Sequence, residues 1–574
     1  MTNKNLILCA TLGSCVHVAG VFHFMQIARQ QGYETSFLRP PNTIEDIIKE
    51  IKKVDPKIIA LSYRLTPEAC VEIVKELDNK ITPKMSEKKW IFGGTSPVCN
   101  AVGRLGIFNR LFGGNATEKD VIEYLRNSLS PLKERKSFPN NLIDRIELYY
   151  PYPLLRAHFG VPSVEETQKG IETIASAKII DIVSIGPDQN FQEHFFSPKE
   201  MKKSEQGAGG VPIRSKEDLI KFYKASRCGN YPLLRCYSGT RNLIKMARLL
   251  KKTINNAWGA TPLFWYSELD SRSSRALQDA IKENKANMAW HGAHNIPFEA
   301  NESHHWSLRS APDAIAVAAA YLGAYNAKKA GVQNYISQMM FNTPIGVSPR
   351  YDLAKMLAKT ELIESLHTET FTTYRQVRTG LLSFPEDPHL AKGQLASSIQ
   401  MAMFVKPHIV HVVSYCEADH AATSQDVIES AKIAHKVISN SIKGLPSINL
   451  DPKLEAYKLK LISDSYLILQ AIRNISEGSV KDPFIHPLTL TTAVNLGILD
   501  APHLKGSDLA RGEINTAIID GKCLAVDPNS FTVLSELDRL NIILEENGYP
   551  LLEKELEDYG AKQFSKRSAI SPLI

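Results

Sequence analysis

The sequence predicts an α/β protein with two parallel-sheet regions: a doubly wound, Rossmann-like domain, then a (β/α)8 TIM barrel with a helical C-terminal extension. Three observations predict it. Short apolar runs alternate with helical patterns from the start. The alternation changes scale after a charged, proline-bearing stretch at 128–153. Beyond residue 454 the pattern is largely helical. Strict β–α alternation is the pattern of a parallel sheet with helices on its faces. At 574 residues the chain has room for more than one core. The expected boundaries are 1–130, a linker at 131–153, a barrel at 154–450 and a helical region at 451–574.

In the first region, strand-like segments fall at 6–10, 34–38, 57–62, 90–93 and 110–112, with helical patterns at 18–31, 43–54 and 66–79. His17 stands between the first strand and the first helix, in Cys15-Val16-His17-Val18-Ala19-Gly20. Such a loop lies at the carboxyl edge of the sheet, where open α/β folds bind ligands. Imidazole is the commonest metal ligand. A histidine that merely caps a helix is the competing reading.

The spacing resembles the Asp-x-His-x-x-Gly signature of cobalamin-binding domains, with Cys15 where that family has its Asp. Three further stretches are similar to that family, in order: Leu61-Ser62-Tyr63-Arg64-Leu65, Phe92-Gly93-Gly94-Thr95 and Leu111-Phe112-Gly113-Gly114-Asn115-Ala116-Thr117. The resemblance implies that His17 ligates cobalt from below. It also implies that Cys15, Gly20, Ser62, Leu65, Gly93, Gly94, Gly113 and Gly114 line the cofactor. The family's Asp accepts a hydrogen bond from the other ring nitrogen and raises the imidazole's basicity. A thiol is a poorer acceptor, so a weaker or differently tuned cobalt bond is expected; Ser14 is a possible substitute.

In the barrel region, strand candidates lie at 179–185, 232–236, 261–265, 297–300, 334–339, 371–375 and 408–413, and helical patterns at 216–227, 241–252, 311–330 and 424–443. Polar clusters follow several strands, where a barrel keeps its chemistry. They are Gly186-Pro187-Asp188-Gln189-Asn190, Tyr237-Ser238-Gly239-Thr240, Asn301-Glu302-Ser303-His304-His305-Trp306 and Glu417-Ala418-Asp419-His420.

From about 160 to 540 the chain resembles the large catalytic subunit of adenosylcobalamin-dependent glutamate mutase. The likeness is carried by Phe384-Pro385-Glu386-Asp387-Pro388, Arg235-Cys236-Tyr237-Ser238-Gly239-Thr240 and Leu496-Gly497-Ile498-Leu499-Asp500-Ala501-Pro502. In that family the cobalamin domain is a separate subunit; here it is expected to be fused in front. Arg235 stands where the family has a substrate-binding arginine. The amine-binding Glu region corresponds to Ile254-Asn255-Asn256-Ala257, without a carboxylate, and the Lys region to Val413-Ser414-Tyr415-Cys416, without a cation. A lost charge-assisted contact costs about 1.5–3 kcal/mol, which argues against glutamate itself. The candidate catalytic residues are Arg235, Tyr237, Asn256, Glu302, His304, His305, Glu417 and His420. Arg235 favours an anionic ligand through its fork of donors. The His and Glu clusters are read as acid–base groups, substrate-orienting groups, a metal site or a hydrogen-bonded rim.

The resemblance implies a radical rearrangement of a small anionic substrate, with adenosylcobalamin as cofactor and methylcobalamin as the alternative. Corrinoid methyl transfer, with Cys236 or Cys416 activating the acceptor, stays open. So does a cobalamin carrier or sensor without mutase activity. A homodimer is a further expectation. The net charge of +7 forms no dense basic stripe, which argues against nucleic acid. No apolar run has membrane-spanning length. The stretch 6–20 resembles a signal peptide, but cleavage there would remove His17. Eight cysteines without a Cys-x-x-Cys pair fit reduced thiols in the cytoplasm and offer no triplet for an iron–sulfur cluster.

Overall fold

The computed structural model describes residues 5–114, 116, 118–129, 138–448 and 451–557. The chain divides into two compact units, Met1–Ser137 and Phe138–Ile574.

The first unit is a five-stranded parallel sheet, β1 (Leu6–Thr11), β2 (Glu34–Leu38), β3 (Ile58–Tyr63), β4 (Lys89–Gly94) and β5 (Arg110–Phe112), in the order β2-β1-β3-β4-β5. β1 and β3 are covered on both faces, which is why they read as unbroken apolar runs. Helices Ala19–Gln30 and Glu118–Leu129 cover one face, through Val21, Met25 and Leu125. Helices Ile44–Val54, Pro67–Lys80 and Ser96–Gly103 cover the other, through Ile47, Val74 and Val98. Thr43 starts the second helix with a reciprocal cap to Asp46, satisfying amides that otherwise lack partners. The strand order reverses between β1 and β3, and their carboxyl ends therefore form the ligand-binding crevice of such sheets.

The second unit is the expected parallel barrel. Its strands are β6 (Leu154–Phe159), β7 (Ile182–Ile185), β8 (Leu233–Cys236), β9 (Gly259–Ala260), β10 (Phe298–Glu299), β11 (Asn334–Phe341), β12 (Thr372–Thr379) and β13 (Ile409–Val412). Each pairs with the next, and β13 pairs back onto β6. Only the β8–β9 seam lacks a ladder. There the Asn256 side chain accepts from the Cys236 amide (2.8 Å) and donates to the Trp258 carbonyl (2.7 Å), while the Ala257 amide donates to the Leu234 carbonyl (2.9 Å).

Four details depart from the sequence reading. β6, absent from the strand candidates, is the barrel's first strand. The segment 261–265 is a loop following the two-residue β9, because the amides of Leu263 and Phe264 donate to the Glu302 carboxylate rather than to a neighbouring strand. The stretch expected as linker contains helix Leu142–Tyr149, whose Leu142 and Ile146 pack with Leu154, Ile182 and Leu233 of the barrel floor; residues 130–137 lie outside the described residues. The helical C-terminal region also holds an antiparallel hairpin, β14 (Asn515–Ile519) and β15 (Lys522–Val526). Its turn is Asp520-Gly521, with both residues at positive φ, the conformation such two-residue hairpins require.

Helix Asp313–Lys329 is apolar around nearly its whole circumference because it is enclosed. It contacts helices Glu302–Leu308, Pro349–Glu364 and the C-terminal Pro452–Asn474. The C-terminal region thus shares the barrel's hydrophobic core. Among the described residues, no helix is long and apolar enough to cross a membrane.

Candidate functional site

The parallel register of the first unit aligns Thr11, Ser62, Gly93 and Phe112 in one row at the carboxyl edge. Cys15 and His17 follow β1. Cys15 is fully buried and His17 is exposed. The Cys15 Sγ lies 3.7 Å from His17 Nδ1, so Nε2 is the ring nitrogen available to a metal. Val16 and Leu65, on the two loops of this edge, are both exposed apolar side chains. Gly20 opens onto free space: a Cβ there would meet nothing within 4 Å. Thr11 Oγ1 is buried with no hydrogen-bond partner. Gly94 is required by the sheet itself, since a Cβ would stand 2.6 Å from the Tyr63 carbonyl oxygen. Gly113 and Gly114 pack against Ser96. Asn115 and Thr117 of that motif lie outside the described residues. An exposed imidazole, an orienting thiol, a glycine-lined approach and an unpartnered hydroxyl fit a flat, metal-centred ligand. These are the residues that can hold a corrinoid.

The barrel interior is polar where barrels are usually packed with branched apolar side chains. Arg156 donates to Ser184 Oγ (2.7 Å) and to Gln376 Oε1 (2.8 Å), and its Nη2 lies 2.8 Å from His158 Nε2. Glu299 is the carboxylate among them. Its Oε2 accepts from Trp258 Nε1 (2.8 Å) and Gln376 Nε2 (3.2 Å), and lies 3.9 Å from Arg156 and 3.8 Å from Arg235. Arg235 is 1% exposed, and among the described residues its Nε and Nη1 have no hydrogen-bond partner. Its guanidinium lies over the rings of Tyr237 (4.7 Å) and Trp258 (5.4 Å). Cation–π contact offsets a few tenths to about 2 kcal/mol and leaves two donors unmet. A buried guanidinium whose carboxylate partner stands 3.8 Å away, with two nitrogens unmet, is costly unless a further anion completes it.

The neighbours sharpen that imbalance. The His158 ring stacks on His411 at 4.7 Å and lies 5.4 Å from Tyr237. Burial and the surrounding guanidiniums of Arg156, Arg235 and Arg378 hold both histidines well below the usual imidazole range, so both are neutral. Burial and Arg235 also push Arg156 down to about 9. Three guanidiniums, Arg156, Arg235 and Arg378, therefore have two carboxylates near them, Glu299 and, at Arg378, Glu417, and the interior carries an excess of positive charge. Such an interior favours an anion.

The predicted mouth residues divide by role. Glu302 is buried, and its carboxylate accepts from the amides of Leu263 and Phe264 and from Trp306 Nε1. Burial pushes this carboxyl up to about 7 despite those donors. Glu302 thus latches the loop after β9. His304 and His305 are buried, their rings tilted by 31° with centroids 4.3 Å apart, and His304 Nδ1 and His305 Nε2 have no hydrogen-bond partner among the described residues. Both are held well below the ordinary imidazole range, His304 by burial and Arg378, His305 by burial and His304. Tyr237 stands one residue beyond β8 and Glu417 on the loop after β13, where it interacts with Arg378. His420 is exposed, between Asp419 (2.8 Å) and Asp426 (3.3 Å). Asn256 has its amide engaged at the seam.

Arg156, His158, Glu299, Gln376, Arg378 and His411 were not singled out by the sequence. The signal was present: Arg156-x-His158, Arg235-x-Tyr237 and Gln376-x-Arg378 place polar side chains two apart on strands, hence on one face.

No protein-family profile matches the chain, nor does any curated protein. Among solved structures, a novel cobalamin-binding protein from Desulfitobacterium hafniense is 23% identical over 22% of this chain and 59% of its own length, with a TM-score of 0.19. The cobalamin-dependent S-adenosylmethionine radical enzyme OxsB, in its apo form, is 11% identical over 98% of this chain and 83% of its own, with a TM-score of 0.17. Its form with aqua-cobalamin and S-adenosylmethionine bound is 10% identical over 98% and 84%, with a TM-score of 0.18. The functional reading therefore rests on this chain's own residues.

Proposed function

We propose that the chain is a cobalamin-dependent enzyme that rearranges a small anionic substrate, with adenosylcobalamin as the cofactor. The observation that carries the reading is His17: an exposed imidazole, with Nδ1 against Cys15, at the crevice of a doubly wound sheet. Arg235, buried with two unmet donors, supports an anionic substrate in the barrel.

In this reading His17 would hold the cofactor's metal through Nε2, with Cys15 Sγ against the ring's other nitrogen. When bound, adenosylcobalamin supplies the radical chemistry; orientation and exclusion of water are left to the protein. Arg235 binds a substrate carboxylate, with Arg378 beside it and Tyr237 stacked behind. Gln376, held by Arg156, donates to Glu299 and fixes that carboxylate near Arg235. His158 and His411 stay neutral and offer hydrogen bonds without adding charge. The engagement of Asn256 at the seam, where the resembled mutase binds an amine, fits a substrate other than glutamate.

Methyl transfer gains no support from Cys236, which is fully buried with its thiol pushed up to about 12 by burial. The test is incubation of adenosylcobalamin-loaded protein with small mono- and dicarboxylic acids, read by mass spectrometry and NMR. An isomer of unchanged mass is expected. A product one methylene heavier, formed with methylcobalamin, means methyl transfer; no product with any acid means a carrier.

A further inference from the structure

The loop after β13 carries a donor set that this chemistry leaves unused. Cys416, His420 and Asp426 bring a sulfur, a nitrogen and an oxygen within 4.8 Å of one another. The 3-10 turn Tyr415–Ala418 creates the arrangement. The amides of Asp419 and His420 both donate to the Cys416 carbonyl (2.9 and 3.0 Å), folding His420 back toward Cys416. Asp426 comes from the first turn of helix Ser424–Ile442, where its reciprocal cap with Thr423 fixes it. Cys416 is buried and His420 exposed, so the cluster opens to solvent on one side.

Two of the three donors are already oriented from behind. Asp419 Oδ2 lies 2.8 Å from His420 Nδ1, and His420 Nε2 lies 3.3 Å from Asp426 Oδ2. The Tyr415 hydroxyl donates to Asp426 Oδ1 (2.9 Å), on the oxygen that His420 does not face. A carboxylate behind a ligating histidine and a donor behind a ligating carboxylate form the outer shell of metal sites. Thiolate, imidazole and carboxylate together suit zinc; magnesium and calcium take oxygen alone.

We propose that Cys416, His420 and Asp426 bind a zinc-class divalent cation, with Asp419 and Tyr415 orienting His420 and Asp426. Three protein ligands leave a fourth position for water. The sulfur–metal bond forms as the thiol proton leaves to solvent, which a divalent cation at the sulfur drives. Without the cation, burial and the Asp426 carboxylate push that thiol up to about 11. The bound cation pins the loop that carries Glu417. The competing arrangement is a cation-free ion cluster, with a protonated His420 between Asp419 and Asp426.

The test uses the full chain, stripped of corrinoid and metal and kept anaerobic, titrated with Co2+. One equivalent should produce a near-ultraviolet thiolate-to-cobalt band with tetrahedral visible bands, and Zn2+ should abolish them. Cys416→Ser should lose the thiolate band. His420→Ala, at an exposed position that folding tolerates, should weaken Co2+ binding at least 10-fold, and Asp419→Asn by about 10-fold. No band at one equivalent, or a band that survives in Cys416→Ser, overturns the site and leaves the ion cluster. Corrinoid is absent throughout, so the outcome is independent of His17.

Discussion

Cys15 Sγ lies 3.7 Å from His17 Nδ1, the place from which a hydrogen-bond partner fixes an imidazole's tautomer and basicity. A thiol there supports the ring more weakly than a carboxylate does. Cys15→Ala should weaken corrinoid binding about 10-fold, the lower end of what loss of an orienting partner costs a metal site. Cys15→Asp should bind more tightly than the wild type. Equilibrium dialysis with adenosylcobalamin measures both; identical affinities in all three proteins would remove Cys15 from the site.

Arg235 has a carboxylate, Glu299, 3.8 Å from its Nη2, and leaves its other two nitrogens unmet. Arg235→Gln should not lower the stability of the ligand-free barrel unit, because it removes a buried guanidinium with two unmet donors. The same change should abolish stabilisation by small dicarboxylates from malonate to adipate. In the wild type a ligand at 100 times its Kd adds about 2.7 kcal/mol. Thermal melts with and without these acids decide it: equal shifts in both proteins would mean the anion binds elsewhere.

Asn256 is expected to act on stability. Asn256→Ala strands the Cys236 amide and the Trp258 carbonyl at the one seam without a ladder. Each unmet buried group costs about 1–3 kcal/mol, so a loss of about 2–6 kcal/mol in the barrel unit's urea transition is expected. An unchanged transition would show that the seam closes without it.

His291 is 2% exposed, its ring packed on Gly259, and burial pushes its pKa down to about 4. The unfolded chain binds this proton near pH 6.5 and the folded chain does not until about pH 4. Its contribution to stability is therefore full above about pH 6.5 and falls as the pH drops from there to about 4, by about 1.4 kcal/mol per pH unit. His291→Gln should lack this slope. Urea transitions of both proteins at several pH values between 4 and 7 measure the difference, and parallel pH profiles would place the proton elsewhere.

The legibility of the sequence followed burial geometry. β1 and β3 were plain because strands covered on both faces are continuous apolar runs. β6 is hard to read because Leu154-Leu155-Arg156-Ala157-His158-Phe159 places the polar side chains of Arg156 and His158 inside the barrel, inverting the usual meaning of an alternating strand. β9 was displaced because its two paired residues precede the aromatic run 261–266, which is apolar yet held by Glu302 rather than by a ladder. At the candidate sites, His17 and Arg235 are legible because His17 lies in the loop after β1 and Arg235 near the end of β8. Glu299 and Gln376 are not, since their partners come from other strands, and a pattern along one strand carries no record of which neighbour faces it. The Asp520-Gly521 pair is a hairpin-turn signal legible in the sequence.

The most direct measurement is a visible absorption titration of the purified protein with adenosylcobalamin and, separately, methylcobalamin, repeated with His17→Ala. The account predicts a base-off, histidine-on spectrum that the substitution abolishes, with tighter binding of adenosylcobalamin. No corrinoid binding, or an identical spectrum in His17→Ala, would contradict it.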